Sequence, residues 1–419
     1  MYENPGKLVK GGVCAPKGFK ANAVECGVKD ASNPRLDMGL IYTAEETSSA
    51  GVFTSNRIKA APVKVTQKHV KATNLKAFLV NSGNANACTG LQGIEDTKEC
   101  AKATAKALGI NMREVGVCST GVIGLPIPTE RMIACIPSLA EGLGEQHKLA
   151  DLFSKSIMTS DTRQKEIAVE IEIDGKPVRI GACAKGAGMI KPSMATMLCF
   201  ITTDLKVSSD ALHKALLAAT EHTFNRISID GDMSTNDTAL IMANGASGVS
   251  VGRRNGKWCK LFTEALHFVL DQLARAIVLD GEKVTKFVTL HVKNARTYLD
   301  AKKIAEAVAN SPLVKCSWNG DDPNWGRVIH AVGYSRARIQ EELIDIYWGK
   351  HMACQGGKLG PASISVLRRE AGKKSFELTI DMNQDESNYT MYTSDLSPEY
   401  VDYNRSEYSY WNALAKSKK

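Results

Sequence analysis

Lys185-Gly-Ala-Gly-Met-Ile-Lys-Pro-Ser-Met-Ala195-Thr196-Met197-Leu198 is the stretch around which the rest of the chain is organised. Glycines at 186 and 188 loosen the backbone, and Pro192 excludes a helix there. Met197 to Thr203 (M-L-C-F-I-T-T) is a short apolar run that fits a buried strand. A flexible approach therefore meets Thr196 at a strand start, an arrangement that suits a self-cleaving nucleophile. In that chemistry the Thr196 hydroxyl attacks the carbonyl of Ala195, the resulting ester hydrolyses, and Thr196 is left with a free α-amine. An unperturbed α-amine has a pKa of ~7.7–8.0, so it can serve as base to its own hydroxyl. Taken alone, a threonine at a strand start is nearly always just a β-branched strand residue.

Outward from this segment, helix and strand patterns alternate. On the N-terminal side, Glu166 to Ile173 (E-I-A-V-E-I-E-I) alternates at period two, a half-buried strand. Asp174-Gly175 suits a two-residue type I′ hairpin turn, and Val178 to Ala184 is the expected partner strand. Pro177 lacks an N–H, which hints at a sheet edge there. Further back, Glu95 to Leu108 reads as a helix, and Thr129 to Ile136 as a short one that Pro137 stops. On the C-terminal side, Ser208 or Ser209 caps a helix from Asp210 to about Thr223. Lys257 to Val278 is the clearest helix, with Phe262, Leu266, Val269, Leu273 and Ile277 at helical spacing. Lys286 to Val292 and Phe376 to Met382 read as strands, and Ala301 to Asn310 as a helix. The chain is thus of mixed α/β class, with no internal repeat and no low-complexity linker.

Composition excludes several classes of function. The 419 residues allow two or three domains or one large two-lobed unit. The net charge of +8 is spread along the chain, and the one basic cluster, Lys416 to Lys419, is too short to argue for nucleic acid. Such a balance favours acidic metabolites slightly, by steering. The eleven cysteines are an odd number and include no C-x-x-C pair, so they form neither a disulfide framework nor a zinc site. They read as reduced thiols used as small apolar side chains in a cytosolic protein. The eight histidines show no H-E-x-x-H spacing, and no metal site is expected. Met1 to Lys10 has no apolar h-region of a secretory signal. No run approaches the ~20 apolar residues of a membrane span.

The segment ending in Ala195-Thr196 resembles the cleavage signature of the ornithine acetyltransferase (glutamate N-acetyltransferase) family. Further blocks resemble that family in the same order. They are Gly12-Val-Cys-Ala-Pro-Lys-Gly-Phe19, Ala50-Gly-Val-Phe-Thr-Ser-Asn-Arg57 and Val80-Asn-Ser-Gly-Asn-Ala-Asn-Ala-Cys-Thr-Gly90. Ser119-Thr-Gly-Val-Ile-Gly124, Asp230-Gly-Asp-Met-Ser-Thr-Asn-Asp-Thr238 and Asp280-Gly-Glu282 come next. Asp322-Pro-Asn-Trp-Gly-Arg327 and Tyr400-Val-Asp-Tyr-Asn404 complete the series, so the resemblance runs from about residue 10 to 409.

The resemblance implies a layered α/β sandwich, with strands stacked between helical layers. It implies a self-cut into an α chain of residues 1–195 and a β chain of 196–419 that opens with the nucleophile Thr196. Thr120 and Gly121 match the family's oxyanion hole. Thr159, Lys185, Glu282 and Asn404 match its substrate contacts, where the Glu282 carboxylate suits the cationic amine of ornithine. Without the resemblance, Lys185 reads as a solvated surface lysine, Thr159 as a polar turn residue and Glu282 as a loop charge. The chain departs from the family at its end. The last hydroxyl contact falls on Tyr410 or is taken over by Ser409, and a tail from Trp411 to Lys419 follows.

The implied reaction moves acetyl from N2-acetylornithine to glutamate through an acetyl-Thr196 ester, giving ornithine and N-acetylglutamate in cytoplasmic arginine biosynthesis. The enzyme itself carries the acetyl group, and no cofactor is expected. The implied assembly is an α2β2 heterotetramer, without nucleic acid or membrane. Use of acetyl-CoA as a second donor stays open. Two other readings are an N-terminal-nucleophile amidase or aminopeptidase, in which water accepts the acyl group, and a non-catalytic binding protein on the same fold.

Overall fold

A computed structural model describes residues 3–32, 35–191, 197–251 and 256–405. Thr196, Ala195, Ser409 and Tyr410 lie outside the described residues. In chain order the strands are β1 (Lys7–Val9), β2 (Lys20–Glu25), β3 (Leu36–Tyr42), β4 (Ser48–Phe53), β5 (Ala77–Asn84), β6 (Val115–Val122), β7 (Lys165–Ile173), β8 (Lys176–Lys185) and β9 (Leu198–Thr203). They continue with β10 (Ile227–Ser228), β11 (Thr238–Ala243), β12 (Phe287–Ala295), β13 (Asp345–Trp348), β14 (His351–Gln355), β15 (Lys358–Leu359), β16 (Ser375–Asp381) and β17 (Ser387–Ser394). Helices α1 (Ala61–Ala72), α2 (Gly90–Leu108), α3 (Thr129–Glu141), α4 (His147–Ser156), α5 (Ser209–His222) and α6 (Gly256–Leu279) precede α7 (Tyr298–Ala309), α8 (Pro312–Asn319), α9 (Trp325–Gly333), α10 (Ile364–Ala371) and α11 (Pro398–Asn404).

The chain packs as two compact units. The first comprises residues 1–225 and 232–277, the second residues 226–231 and 278–419. The expected cut after Ala195 is a separate division, and it falls within the sequence of the first unit.

In the first unit, one sheet has the order β1-β7-β8-β9-β11-β4 and another the order β2-β3-β5-β6. Strand β5 shows why they stack. Its side chains alternate, Phe78 and Val80 facing one cluster and Ala77 and Leu79 another, as a period-two strand requires. Phe78 and Val80 join Phe200 of β9 and Leu240 and Met242 of β11, which closes an apolar core between the two sheets. The Phe78 and Phe200 rings lie 5.7 Å apart, and Phe153 of α4 meets Phe200 edge-on at 5.5 Å. Ala77 and Leu79 turn to the other face, against Cys100, Ala101 and Ala105 of α2 and Met132, Ile136 and Leu139 of α3. Helix α5 packs on β4. The first unit is therefore layered, with helices outside two stacked sheets, as the resemblance implies.

Local chemistry explains the elements near the site. Asp174 and Gly175 have φ values of 51° and 71°, the pair of positive angles a type I′ turn needs. The turn fixes the β7–β8 register, in which Lys165 pairs with Ala184. Strand β9 pairs with β8 only from Ile180 to Lys185, so Pro177 stands where that side of β8 carries no ladder bond. Ser208 caps α5 by accepting the N–H of Ala211. The apolar row of α6 is buried, with Leu266, Val269 and Ile277 fully so.

One expectation is overturned. Helix α3 does not stop at Pro137 but carries it inside and runs to Glu141. Proline costs a helix one hydrogen bond and a steric clash, on the order of 3 kcal/mol. Burial of Ile136 and Leu139 on either side offsets that cost here.

The second unit is built on one sheet of order β10-β17-β12-β16-β13-β14-β15. Val288, Leu290 and Val292 of β12 join Ile304 and Val308 of α7 and the buried indoles of Trp318 and Trp348 in a single core.

Candidate active site

Strand registers bring the chemistry-bearing residues of the first unit to one rim. Lys185, the last residue of β8, pairs with Leu198 at the start of β9. Leu198 in turn pairs with Thr238 at the start of β11, and Thr238 pairs with Phe53 at the end of β4. The described chain resumes at Met197, directly after Thr196, on this rim.

Met197 is held at both backbone groups. Its N–H donates to Asp237 Oδ1 at 3.0 Å, and its carbonyl accepts the N–H of Thr238 at 3.1 Å. Asp237 is 1% exposed. Burial pushes its carboxyl well above the usual range, against the opposing pull of the Met197 N–H and the Lys185 ammonium. The preceding residue, Asn236, reaches the second sheet. Its Nδ2 donates to the carbonyls of Ala85 at 2.7 Å and Ser119 at 2.8 Å.

Ser119 leads into Thr120 and Gly121, at the C-terminal end of β6. Ser119 Oγ donates to Asn81 Oδ1 at 2.6 Å, which adds a second restraint on this strand end. Gly121 has a φ of 135°, and a Cβ there would lie 2.2 Å from the carbonyl carbon of Gly83. The position accepts only glycine. Thr120 is buried and Gly121 exposed, and Thr120 pairs with Ser82 of β5. Ser82 Oγ donates to the Ser156 carbonyl at 2.7 Å, tying this strand pair to the end of α4.

Three residues past Ser156 stands Thr159, whose Oγ1 accepts from Lys185 Nζ at 2.7 Å. Lys185 is 2% exposed, so the solvated-lysine reading fails. Its partner is Asp161, at 3.8 Å. Asp161 also binds Lys165 Nζ at 2.6 Å and the N–H groups of Gly186 at 2.7 Å and Thr159 at 3.0 Å. Burial favours the neutral acid, but Lys185, Lys165 and the Gly186 N–H override it and hold Asp161 down to about 2.

These links form a closed circuit: Asp237 to Met197, Leu198 to Lys185, Lys185 to Thr159, Ser156 to Ser82, Thr120 and Ser119 to Asn236. A rigid ring of this kind around a strand start can present a nucleophile, a cation and backbone donors to one reacting group.

Of the expected site residues, Thr120, Thr159 and Lys185 belong to this circuit, and Gly121 follows Thr120 directly on β6. Glu282 and Asn404 lie in the second unit and meet each other, Asn404 Nδ2 donating to Glu282 Oε2 at 3.0 Å. Glu282 occupies the loop between α6 and β12, as expected of a loop charge. Asn404 ends α11, whose Tyr400 hydroxyl donates to Asp230 at 3.2 Å.

Sequence reading assigned no role to Asp161, Lys165, Asn236 or Asp237. The last two sit in the Asp230–Thr238 block, so they were in view but without a partner. No group of His, Cys, Asp and Glu among the described residues could hold a metal ion. No helix among them is long and apolar enough to cross a membrane.

Comparison with known proteins gives a consistent result. Residues 20–409 match the model of the ArgJ family. The arginine biosynthesis bifunctional protein ArgJ of Geobacter sulfurreducens is 44% identical over 393 residues, covering 93% of this chain and 98% of that protein. The glutamate N-acetyltransferase of Methanocaldococcus jannaschii is 41% identical, covering 95% and 98%. Among solved structures, the ornithine acetyltransferase of Mycobacterium tuberculosis complexed with ornithine is 39% identical over 45% of this chain and 98% of that one, with a TM-score of 0.42.

Proposed function

The chain belongs to the ArgJ family, a family of acyltransferases of arginine biosynthesis, and from that membership we propose how its residues carry out glutamate N-acetylation. The chain cuts itself between Ala195 and Thr196, and the two fragments, residues 1–195 and 196–419, stay associated. Thr196 Oγ then attacks the acetyl carbonyl carbon of N2-acetylornithine. The Thr196 α-amine takes the hydroxyl proton and delivers it to the departing nitrogen of ornithine. The carbon–nitrogen bond breaks, and the acetyl group remains as an ester on Thr196. The amine of glutamate attacks that ester, N-acetylglutamate leaves, and the hydroxyl regains its proton.

The observation that carries this reading is the Asn236-Asp237 pair. One residue fixes the Ser119 carbonyl ahead of Thr120 and Gly121, and the next fixes the Met197 N–H just after Thr196. Adjacent side chains thus hold the oxyanion strand and the nucleophile strand in one frame. Negative charge growing on the acetyl oxygen meets Thr120 and Gly121, a contribution of about 3–4 kcal/mol when one donor of such a hole is lost. The Lys185–Thr159 pair supplies a buried cation and hydroxyl for the substrate carboxylate. Glu282 and Asn404 contact the amino-acid part of the substrate, with Ser409 or Tyr410 as a further hydroxyl contact.

The assembly is an α2β2 heterotetramer working in the cytoplasm, and acetyl-CoA serves as a second acetyl donor. The test is an acetyl-transfer assay. N2-acetylornithine with glutamate should yield ornithine and N-acetylglutamate in equal amounts, and acetyl-CoA with glutamate should yield N-acetylglutamate. Release of free acetate at a rate indifferent to glutamate would instead support an amidase that uses water.

A further inference from the structure

The geometry points to Asp161 as a positioning residue for the anionic end of the substrate: one carboxylate sets Lys185 and Thr159 in place together. The inference rests on the reading that those two side chains meet the substrate.

Asp161 reaches both partners, Thr159 by a hydrogen bond and Lys185 by an ion pair. Its Oδ2 accepts the N–H of Thr159 at 3.0 Å and lies 3.8 Å from Lys185 Nζ. Its Oδ1 accepts the N–H of Gly186 at 2.7 Å, so it also fixes the backbone immediately after Lys185. Lys185 and Thr159 then close on each other at 2.7 Å. Lys165, at the start of β7, binds the same Oδ1 at 2.6 Å and ties the group to the sheet through the register of Lys165 with Ala184. Side-chain exposure is 0% for Asp161, 1% for Lys165 and 3% for Lys185.

A lysine has a flexible four-carbon stem and a compact charge, so its ammonium is aimed only if something holds it. Substrate must otherwise bear the cost of ordering that stem, and prior ordering raises affinity without new contacts to the ligand. Asp161 does this for the cation and the hydroxyl at once. Among the described residues its contacts run to Thr159, Lys165, Lys185 and Gly186, the residues of the proposed binding pair and their supports, so its effect is expected on binding more than on the chemical step.

The test uses the full chain carrying Asp161→Ala or Asp161→Asn. Each preparation is checked by intact mass for processing and by thermal melting for folding, then assayed with N2-acetylornithine and glutamate. Asp161→Ala should raise KM for N2-acetylornithine at least about tenfold, the range expected when one side of a buried charged pair is removed. Its kcat should move far less. Asp161→Asn keeps a carbonyl oxygen for one of the two N–H groups and should fall between wild type and alanine. Where the alanine variant does not fold, the asparagine variant decides. A merely structural Asp161 would lower the melting temperature while the processed, folded fraction kept its KM within about twofold of wild type, and that result overturns the inference. A wild type that transfers no acetyl at all overturns the functional reading, and this inference with it.

Discussion

Asp237 accepts the N–H of Met197 at 3.0 Å, and Met197 is the residue that follows Thr196. The carboxyl is buried and pushed well above its usual range, so it is held for its position and not as a surface charge. Removing the carboxyl leaves the buried Met197 N–H without this acceptor, at a cost of roughly 1–3 kcal/mol. Asp237→Ala should therefore slow self-cleavage by about tenfold or more. Asp237→Asn retains an acceptor and should lose less. A time course of intact mass after expression measures both.

Gly121 and Thr120 should separate strain from chemistry. A methyl group at Gly121 would stand 2.2 Å from the Gly83 carbonyl carbon and 2.5 Å from the Asn84 nitrogen, so Gly121→Ala must displace the paired strand. The expected result is a lower melting temperature together with loss of transfer. Thr120→Ala has no such clash and should fold, with kcat reduced by about 100-fold and KM nearly unchanged, the pattern for loss of an oxyanion contact. Steady-state kinetics beside thermal melts distinguish the two.

Asp161 predicts a pH dependence of stability. Its carboxyl is held down to about 2 in the folded chain, against about 3.9 when unfolded. The stabilisation is complete above about pH 5 and drains away as pH falls through 2, for a total of about 3 kcal/mol. Asp161→Asn should thus be less stable than wild type at pH 6, with the gap narrowing through acid. Denaturant midpoints between pH 6 and 2 provide the measurement.

Lys315 in the second unit predicts a slope of the same sign at alkaline pH. Complete burial, only partly countered by Asp395 and Asp230, brings its ammonium down to about 8. The unfolded chain keeps the proton up to about 10.4, so between pH 8 and 10 it binds more protons than the folded chain and stability rises with pH, by about 3 kcal/mol overall. Lys315→Met should remove that rise. Melting of the second unit from pH 7 to 10.5 checks it.

How far the sequence could be read depended on the range of the forces involved. The alternation of Glu166–Ile173, the turn at Asp174-Gly175 and the apolar row of α6 are local patterns, and each appears where expected. Pro137 misled because the apolar contacts that keep α3 going lie on other elements. The resemblance singled out Thr120, Gly121, Thr159 and Lys185 as candidates, but not that Lys185 is buried, since Thr159 and Asp161, which meet it, lie more than 20 positions away in the chain. Asn236 and Ser119 are 117 positions apart, and Asp237 and Met197 are 40 apart. No local pattern signals such pairs. Glu282 and Asn404 are likewise 122 positions apart, and their hydrogen bond became legible only with the fold.

Intact-mass spectrometry of the purified wild type beside Thr196→Ala tests the account most directly. Self-cleavage ahead of Thr196 predicts two wild-type fragments, of 195 and 224 residues (419 − 195 = 224), and a single 419-residue chain for the variant. A wild type that stays whole while transferring acetyl would contradict the account, because the free α-amine on which the proposed chemistry depends would not exist.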